Sequence, residues 1–151
     1  MKKKILIADG DKSTRDSLTE LLDACGYVTV TAETPRQAVR LSLLYPVDLV
    51  LLEIPPHTTE GTEALEWFGR LHPFLPVVLL TNDNYPYKNA DAPGADALLE
   101  KPVNGNALLH TVHLLLAESH HDRLERTSDR NSEPISASRA KSPLARLLTR
   151  N

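Results

Sequence analysis

Five short runs of mainly apolar residues, separated by longer segments, constrain the fold of this chain more than any other feature. Most of the runs are continuously apolar rather than alternating, which is typical of strands buried on both faces of a sheet. Because no hairpin signal joins them, we expect parallel strands with connecting helices on both faces of the sheet. The predicted strands span residues 4–8, 27–32, 47–52, 76–80 and 96–100.

Helical spacing of apolar residues follows four of these strands. At the start of one helix, Thr34 is expected to be the N-cap, with Pro35 in the first turn. Between the fourth and fifth strands, Pro86, Pro93 and three asparagines predict a helix that is short or broken. The other helices are predicted over 13–25, 35–44, 60–72 and 104–118.

The distribution of charge limits the classes of ligand. Residues 1–118 hold ten Lys/Arg and sixteen Asp/Glu, whereas residues 119–151 hold seven and four. An acidic body argues against nucleic acid as a direct ligand, and no stretch is long and apolar enough to span a membrane. The single cysteine, Cys25, excludes an internal disulfide and fits a reducing cytosol, so we predict a cytoplasmic protein. We also expect Cys25 to be a small buried apolar residue.

Composition divides the chain into a body, residues 1–118, and a tail, residues 119–151. The tail is polar and lacks an apolar period, which predicts disorder. Near its end, residues 143–150 contain a short apolar cluster formed by Leu144, Leu147 and Leu148. Because eight residues cannot hold a helix alone in water, we interpret this cluster as a frayed terminus in preference to a docking motif.

Polar side chains end four of the five predicted strands. Asp9 and Asp11 follow the first strand, Glu53 the third, Thr81 the fourth and Lys101 the fifth. Since the carboxyl ends of parallel strands share one edge of the sheet, we expect these side chains to form one site. Burying a carboxylate at the end of a strand costs free energy unless the group has a partner, so such a residue is either paired or part of a functional site.

In this order, the residues resemble the receiver domain of two-component response regulators, over roughly residues 3–118. The stretches that carry the resemblance are ILIADGD, LVLLEIPPHTTEG and GADALLEKPV. It implies a flavodoxin-like, doubly wound α/β fold with strand order 2-1-3-4-5. It also implies phosphoryl transfer to a carboxylate at the position of Glu53, with Mg²⁺ beside the acidic pair that begins at Asp9. Thr81 and Lys101 would then contact the phosphoryl group.

Three positions depart from the family pattern. Glu53 stands where the family has the acceptor aspartate, Gly10 occupies the second acidic position with Asp11 one place too far along, and Leu98 replaces the aromatic switch residue. Glutamate is longer by one methylene, and a misplacement of about 1 Å costs roughly 10²-fold in a positioned reaction. We therefore predict a non-enzymatic pseudo-receiver. Glu53 either mimics the phosphorylated state or forms a structural ion-pair cluster with Asp9 and Lys101.

The resemblance implies a stand-alone phosphorelay protein whose partner is another protein, either a sensor histidine kinase or a downstream effector. We expect no nucleic acid, membrane or small-molecule substrate, and no cofactor unless the acidic pocket still holds Mg²⁺, with Asp9 as the residual ligand. One alternative is a receiver that is still phosphorylated. A more distant one is a haloacid-dehalogenase-like phosphatase, whose Asp-x-Asp motif would be Asp9 and Asp11. A histidine metal site is not expected, because a solvated helix face gives the same spacing; the histidines concerned are His110, His113, His120 and His121.

Overall fold

A parallel sheet forms the centre of the protein in the computed structural model, which describes residues 1–55, 58–82, 94–128 and 135–136. The strand order is β2-β1-β3-β4-β5-β6. The predicted order 2-1-3-4-5 is therefore confirmed, and a two-residue sixth strand extends the sheet beside β5. The strands are β1 (Lys4–Ala8), β2 (Val28–Ala32), β3 (Leu49–Glu53), β4 (Val77–Thr81), β5 (Ala97–Glu100) and β6 (Ile135–Ser136).

Most of the helices begin at a side chain that accepts a hydrogen bond from the first turn. Thr34 Oγ1 accepts from the backbone N–H of Gln37 at 3.1 Å, so the predicted N-cap is confirmed. Asn104 Oδ1 accepts from the N–H of Ala107 at 3.0 Å in the same way. The helices are α1 (Lys12–Ala24), α2 (Pro35–Leu44), α3 (Glu60–Leu71), α4 (Gly105–Ala117) and α5 (His120–Ser128).

Helices cover both faces of the sheet, as predicted, and a different pair packs on each face. Successive residues of a strand point to opposite faces, so Ile5 and Ile7 contact one core while Leu6 and Ala8 contact the other. The first core includes Leu18 and Leu22 of α1 and Leu108, Val112 and Leu115 of α4. The second includes Ala38 of α2 and Ala64, Leu65 and Phe68 of α3.

Helix α5 departs from the predicted disorder of the tail. The composition predicted disorder from residue 119 onward, but His120–Ser128 form a helix, so the prediction was wrong for these residues. Outside the described residues lie the predicted apolar cluster at 143–150 and the short or broken helix expected between β4 and β5. Cys25 is exposed at the C-cap of α1 and is not the buried residue that was expected.

A buried network of ion pairs explains why α5 is folded. Asp96, only 2% exposed, accepts hydrogen bonds from Arg123 and, at 2.7 Å, from Arg126. Arg126 also donates to both carboxylate oxygens of Glu118 at 2.9 Å. Burial lowers the pKa of Arg126, but the hydrogen bonds with Glu118 and the charge of Asp96 outweigh it and raise that pKa. Composition predicted disorder because it does not reveal that these arginines have buried carboxylate partners.

Candidate functional site

The carboxyl edge of the sheet brings together three of the residues selected from the sequence. Strand β1 leads into Asp9, β3 ends on Glu53, and β5 leads into Lys101. Strands β1 and β5 flank β3 and β4 in the sheet, so the three side chains converge from different strands on one edge. The sequence therefore predicted correctly that these three side chains share one edge.

Lys101 lies between the two carboxylates. Its Nζ atom lies 2.6 Å from Asp9 Oδ2 and forms a second ion pair with Glu53 Oε2. The Asp9 side chain is fully buried, and the side chains of Lys101 and Glu53 are 18% and 17% exposed. Two backbone donors add to the cluster, since Asp11 N–H donates to Asp9 Oδ1 at 2.8 Å and Gly10 N–H donates to Glu53 Oε1 at 3.3 Å.

The electrostatics of this cluster centre on one shared positive charge. Burial raises the pKa of Asp9, and the nearby charge of Glu53 acts in the same direction against the hydrogen bonds from Lys101 and Asp11. For Lys101, burial lowers the pKa, but the hydrogen bonds and charges of Asp9 and Glu53 outweigh burial and raise it. Lys101 is therefore held as an ammonium ion between two carboxyl groups.

The other two positions of the predicted acidic pocket contribute no carboxylate to this cluster. Asp11 is the N-cap of α1, and its carboxylate accepts hydrogen bonds from Ser13 N–H at 3.2 Å and Thr14 Oγ1 at 2.8 Å. The hydrogen bond from Thr14 lowers the pKa of Asp11. Gly10 has no side chain, although a Cβ there would meet its nearest atom, Glu53 Oε1, at 3.7 Å. This position therefore has space for a Cβ.

Thr81 ends strand β4 and Leu98 lies within β5, and both side chains are buried. Thr81 is 7% exposed, and its Oγ1 donates a long hydrogen bond of 3.5 Å to the Leu99 carbonyl. Its own carbonyl accepts from the Lys101 N–H at 2.6 Å, which fixes the start of the lysine loop. Leu98 is 5% exposed and packs in the core on the side of α2 and α3. Their roles in a phosphate or switch pocket stay predictions.

Arg15 belongs to this site but was not selected from the sequence. Its Nη1 donates to the backbone carbonyl of Asp9 at 2.7 Å, and its Nη2 lies 3.7 Å from Glu33 Oε1. The side chain is 12% exposed. Its hydrogen-bond partner is a backbone carbonyl, so no residue type in the sequence signalled this contact.

The magnesium ion that the family resemblance implies does not fit the carboxylates present. Mg²⁺ requires near-octahedral oxygen ligands, whereas the carboxylates of Asp9 and Glu53 both contact the Lys101 ammonium. Gly10 supplies no ligand, and the Asp11 carboxylate caps a helix. Across residues 1–55, 58–82, 94–128 and 135–136, no group of three or more His, Cys, Asp or Glu side chains is arranged to hold a metal.

Comparison with known proteins identifies the family. The family described as response regulator receiver domain matches residues 5–113. The transcriptional regulatory protein CpxR of Klebsiella pneumoniae is 31% identical over 134 residues, covering 87% of this chain and 57% of the relative. The response regulator MprA of Mycolicibacterium vanbaalenii is 32% identical over 116 residues, covering 75% and 50%. This chain therefore spans about half the length of these relatives.

Solved structures agree with this assignment. A CheY-like response regulator receiver domain protein from Methanospirillum hungatei superposes with a TM-score of 0.69 and 29% identity, covering 83% of this chain and 99% of that one. A two-component response regulator from Clostridium difficile gives a TM-score of 0.69 and 28% identity, covering 76% of this chain and 96% of that one.

Among the helices of the described residues, none has the length and apolar character needed to cross a membrane.

Proposed function

The chain belongs to the response regulator receiver family, and on that premise we propose that it signals through contacts with other proteins without phosphorylation of Glu53. The observation that carries this proposal is the Lys101 ammonium bound between Asp9 and Glu53. In receiver chemistry, the resemblance assigns this lysine to the transferred phosphoryl group. Here the carboxylate of Glu53 already supplies its negative partner.

Three physical effects oppose phosphoryl transfer at this pocket. A phosphoryl group bound at Glu53 would compete with the existing ion pair to Lys101. The longer glutamate side chain displaces the nucleophilic oxygen, and about 1 Å of displacement costs roughly 10²-fold in rate. Gly10 also leaves Asp9 without a second carboxylate that would help to hold a metal ion, and a metal ion would neutralise the developing negative charge. Together they favour a pseudo-receiver, in which the pocket is stable without chemical modification.

The proposed partner is a protein, either a sensor histidine kinase or a downstream effector, in the cytoplasm. The acidic charge of residues 1–118 supports a protein ligand over nucleic acid as the direct contact of the body. The name of CpxR describes a transcriptional regulator, but that whole protein is longer than the segment matched here. We therefore propose a non-enzymatic signalling role for this chain and assign it no DNA target.

A receiver that is still phosphorylated is the second candidate. It is favoured by three residues of the family pattern that this chain retains, Asp9, Thr81 and Lys101. Under this candidate, Glu53 would accept a phosphoryl group slowly, and binding of the partner would increase after phosphorylation.

Capture of binding partners with and without an acyl phosphate donor separates the two candidates. The full chain is immobilised, treated with Mg²⁺ alone or with Mg²⁺ and acetyl phosphate, and exposed to the proteins of its host. We expect the same proteins in both samples, because binding does not depend on phosphorylation. A protein captured only after donor treatment would contradict the proposal, and Glu53→Ala, which removes the acceptor carboxylate, is the control for such an effect.

A further inference from the structure

Helix α3 contains two glycines that lie in different environments. Gly61 is in the first turn and is buried, together with Ala64, Leu65 and Phe68, on the side of the helix that faces the core. Gly69 is exposed, and a Cβ there would meet no atom of the described residues within 4 Å. Glycine weakens a helix relative to alanine. A glycine at the buried position therefore requires a local reason.

The reason at Gly61 is the close approach of Ile54. A Cβ on Gly61 would overlap Ile54 Cγ2 and would lie 2.9 Å from both Cβ and Cγ1 of the same side chain. The backbone of Gly61 is helical, so space and not backbone conformation is what requires glycine here. Ile54 cannot easily turn away, because it is branched at Cβ and is only 4% exposed in the core.

Ile54 connects this contact to the pocket. It directly follows Glu53, the last residue of β3, and the planar peptide bond joins the two residues rigidly. The carboxylate of Glu53 accepts a hydrogen bond from Gly10 N–H at 3.3 Å and pairs with Lys101. Helix α3 is itself fixed by Phe68 and its neighbours in the core. A displacement of Ile54 therefore moves the backbone of Glu53 and, with it, the carboxylate.

We propose that Gly61 is a positioning residue for the ion pair between Glu53 and Lys101 and that it acts through Ile54. Because Gly61 has no side chain, Ile54 rests against the first turn of α3, and this contact fixes the end of β3. Thr59, the N-cap of α3, forms no capping hydrogen bond through its side chain, so the seating of this turn depends on packing. The inference rests on the proposed function, in which the pocket is stable without modification, and it names a residue outside the pocket that this stability requires.

The titration of Lys101 tests the positioning role. Burial lowers the pKa of this lysine, but the hydrogen bonds and charges of Asp9 and Glu53 outweigh burial and raise it. A weaker pair with Glu53 would remove part of that rise. The carbon resonance of Lys101 Cε is followed by NMR as a function of pH and is assigned by its loss in Lys101→Met. We expect the midpoint of this titration to shift downward in Gly61→Ala.

Three further variants separate positioning from a general loss of packing. Gly69→Ala is the matched control, because it adds the same methyl group to the same helix in open space, and the Lys101 midpoint should not change. Ile54→Ala removes the contact with Gly61 without adding bulk, and we expect the midpoint to shift downward as in Gly61→Ala. Leu65→Ala shortens another buried side chain of the same core, so it should destabilise the fold and leave the midpoint unchanged.

Circular dichroism at each pH verifies that the variants are folded, and Ile54→Ala decides the test if Gly61→Ala does not fold. An unchanged Lys101 midpoint in either variant, when folded, would overturn the proposal. An equal downward shift in Leu65→Ala would also overturn it, since any loosening of this core would then move the pocket. The measurement uses no phosphoryl donor and no partner protein, so its failure is distinguishable from a failure of the proposed function.

Discussion

Lys101 and Glu53, which are 48 residues apart in the chain, form an ion pair at the carboxyl edge of the sheet. The same ammonium group lies 2.6 Å from Asp9 Oδ2, so Lys101 forms ion pairs with two carboxylates. This arrangement gives the strand-end acid at Glu53 a positively charged partner. We therefore expect removal of Lys101 to leave both carboxylates without this cation.

Replacing Lys101 tests how much the ion pairs contribute to stability. In Lys101→Met, the buried Asp9 and the largely buried Glu53 would lose their cation, and breaking a buried pair costs about 3–5 kcal/mol. We expect a decrease at or below the low end of that range, because Lys101 and Glu53 remain partly exposed. Urea unfolding at pH 7 measures it. Lys12→Gln, which removes an ion pair that is 78% and 65% exposed, is the control and should change little. A loss for Lys101→Met no larger than for this control would contradict the account.

The raised pKa of Lys101 predicts a dependence of stability on alkaline pH. A group whose pKa is higher in the folded state contributes its full stabilisation below its unfolded value, here 10.5, and loses it as the pH rises through the folded value. The difference in unfolding free energy between wild type and Lys101→Met should therefore stay constant from pH 7 to about 10. It should shrink at higher pH. If the difference in unfolding free energy instead grows above pH 10, the pKa of Lys101 is not raised in the folded protein.

The buried network beneath α5 predicts that this part of the tail stabilises the body. In the double variant Arg123→Gln and Arg126→Gln, the carboxylate of Asp96 would lose both cations, and we expect a loss of about 3–5 kcal/mol. A chain that ends after Glu118 should lose a similar amount, whereas one that ends after Ser128 keeps the network. Thermal unfolding of the four proteins distinguishes these cases. Equal melting temperatures for the two truncations would contradict this assignment.

The strands and most helices were predictable because their signals are local. Apolar runs located β1 to β5 to within two residues at each end, and Thr34 marked the start of α2. The convergence of Asp9, Glu53 and Lys101 was also predictable, because parallel strands place their carboxyl ends together. These inferences required no knowledge of which side chains touch.

Long-range polar partners were not predictable. Helix α5 depends on Asp96, which is 27 and 30 residues away from the two arginines that bind it. Arg15 donates to a backbone carbonyl, and a backbone partner cannot be recognised from the residue types in the sequence. Asp11 was grouped with the pocket by its position, whereas its side chain caps α1 because a helix start offers two nearer donors. Competition between local and distant hydrogen bonds decides such cases.

Gly10 is expected to accept a side chain, which makes the central test possible. A Cβ at this position would lie 3.7 Å from Glu53 Oε1 and 3.9 Å from the Glu33 carbonyl, both ordinary contacts. Gly10→Ala should therefore change the unfolding free energy by less than about 1 kcal/mol. Denaturant unfolding checks this, and a loss of several kcal/mol would mean that the pocket cannot be rebuilt at this position.

The measurement that tests the central claim most directly is acid-labile phosphoryl labelling from acetyl phosphate in the presence of Mg²⁺. Three proteins are compared: the wild type, Glu53→Asp, and the double variant Gly10→Asp with Glu53→Asp. We predict label on the double variant alone, because only that protein has an acceptor of the family's length and a second carboxylate beside Asp9. Label on the single variant would show that Gly10 is tolerated, and strong labelling of the wild type would contradict the pseudo-receiver account.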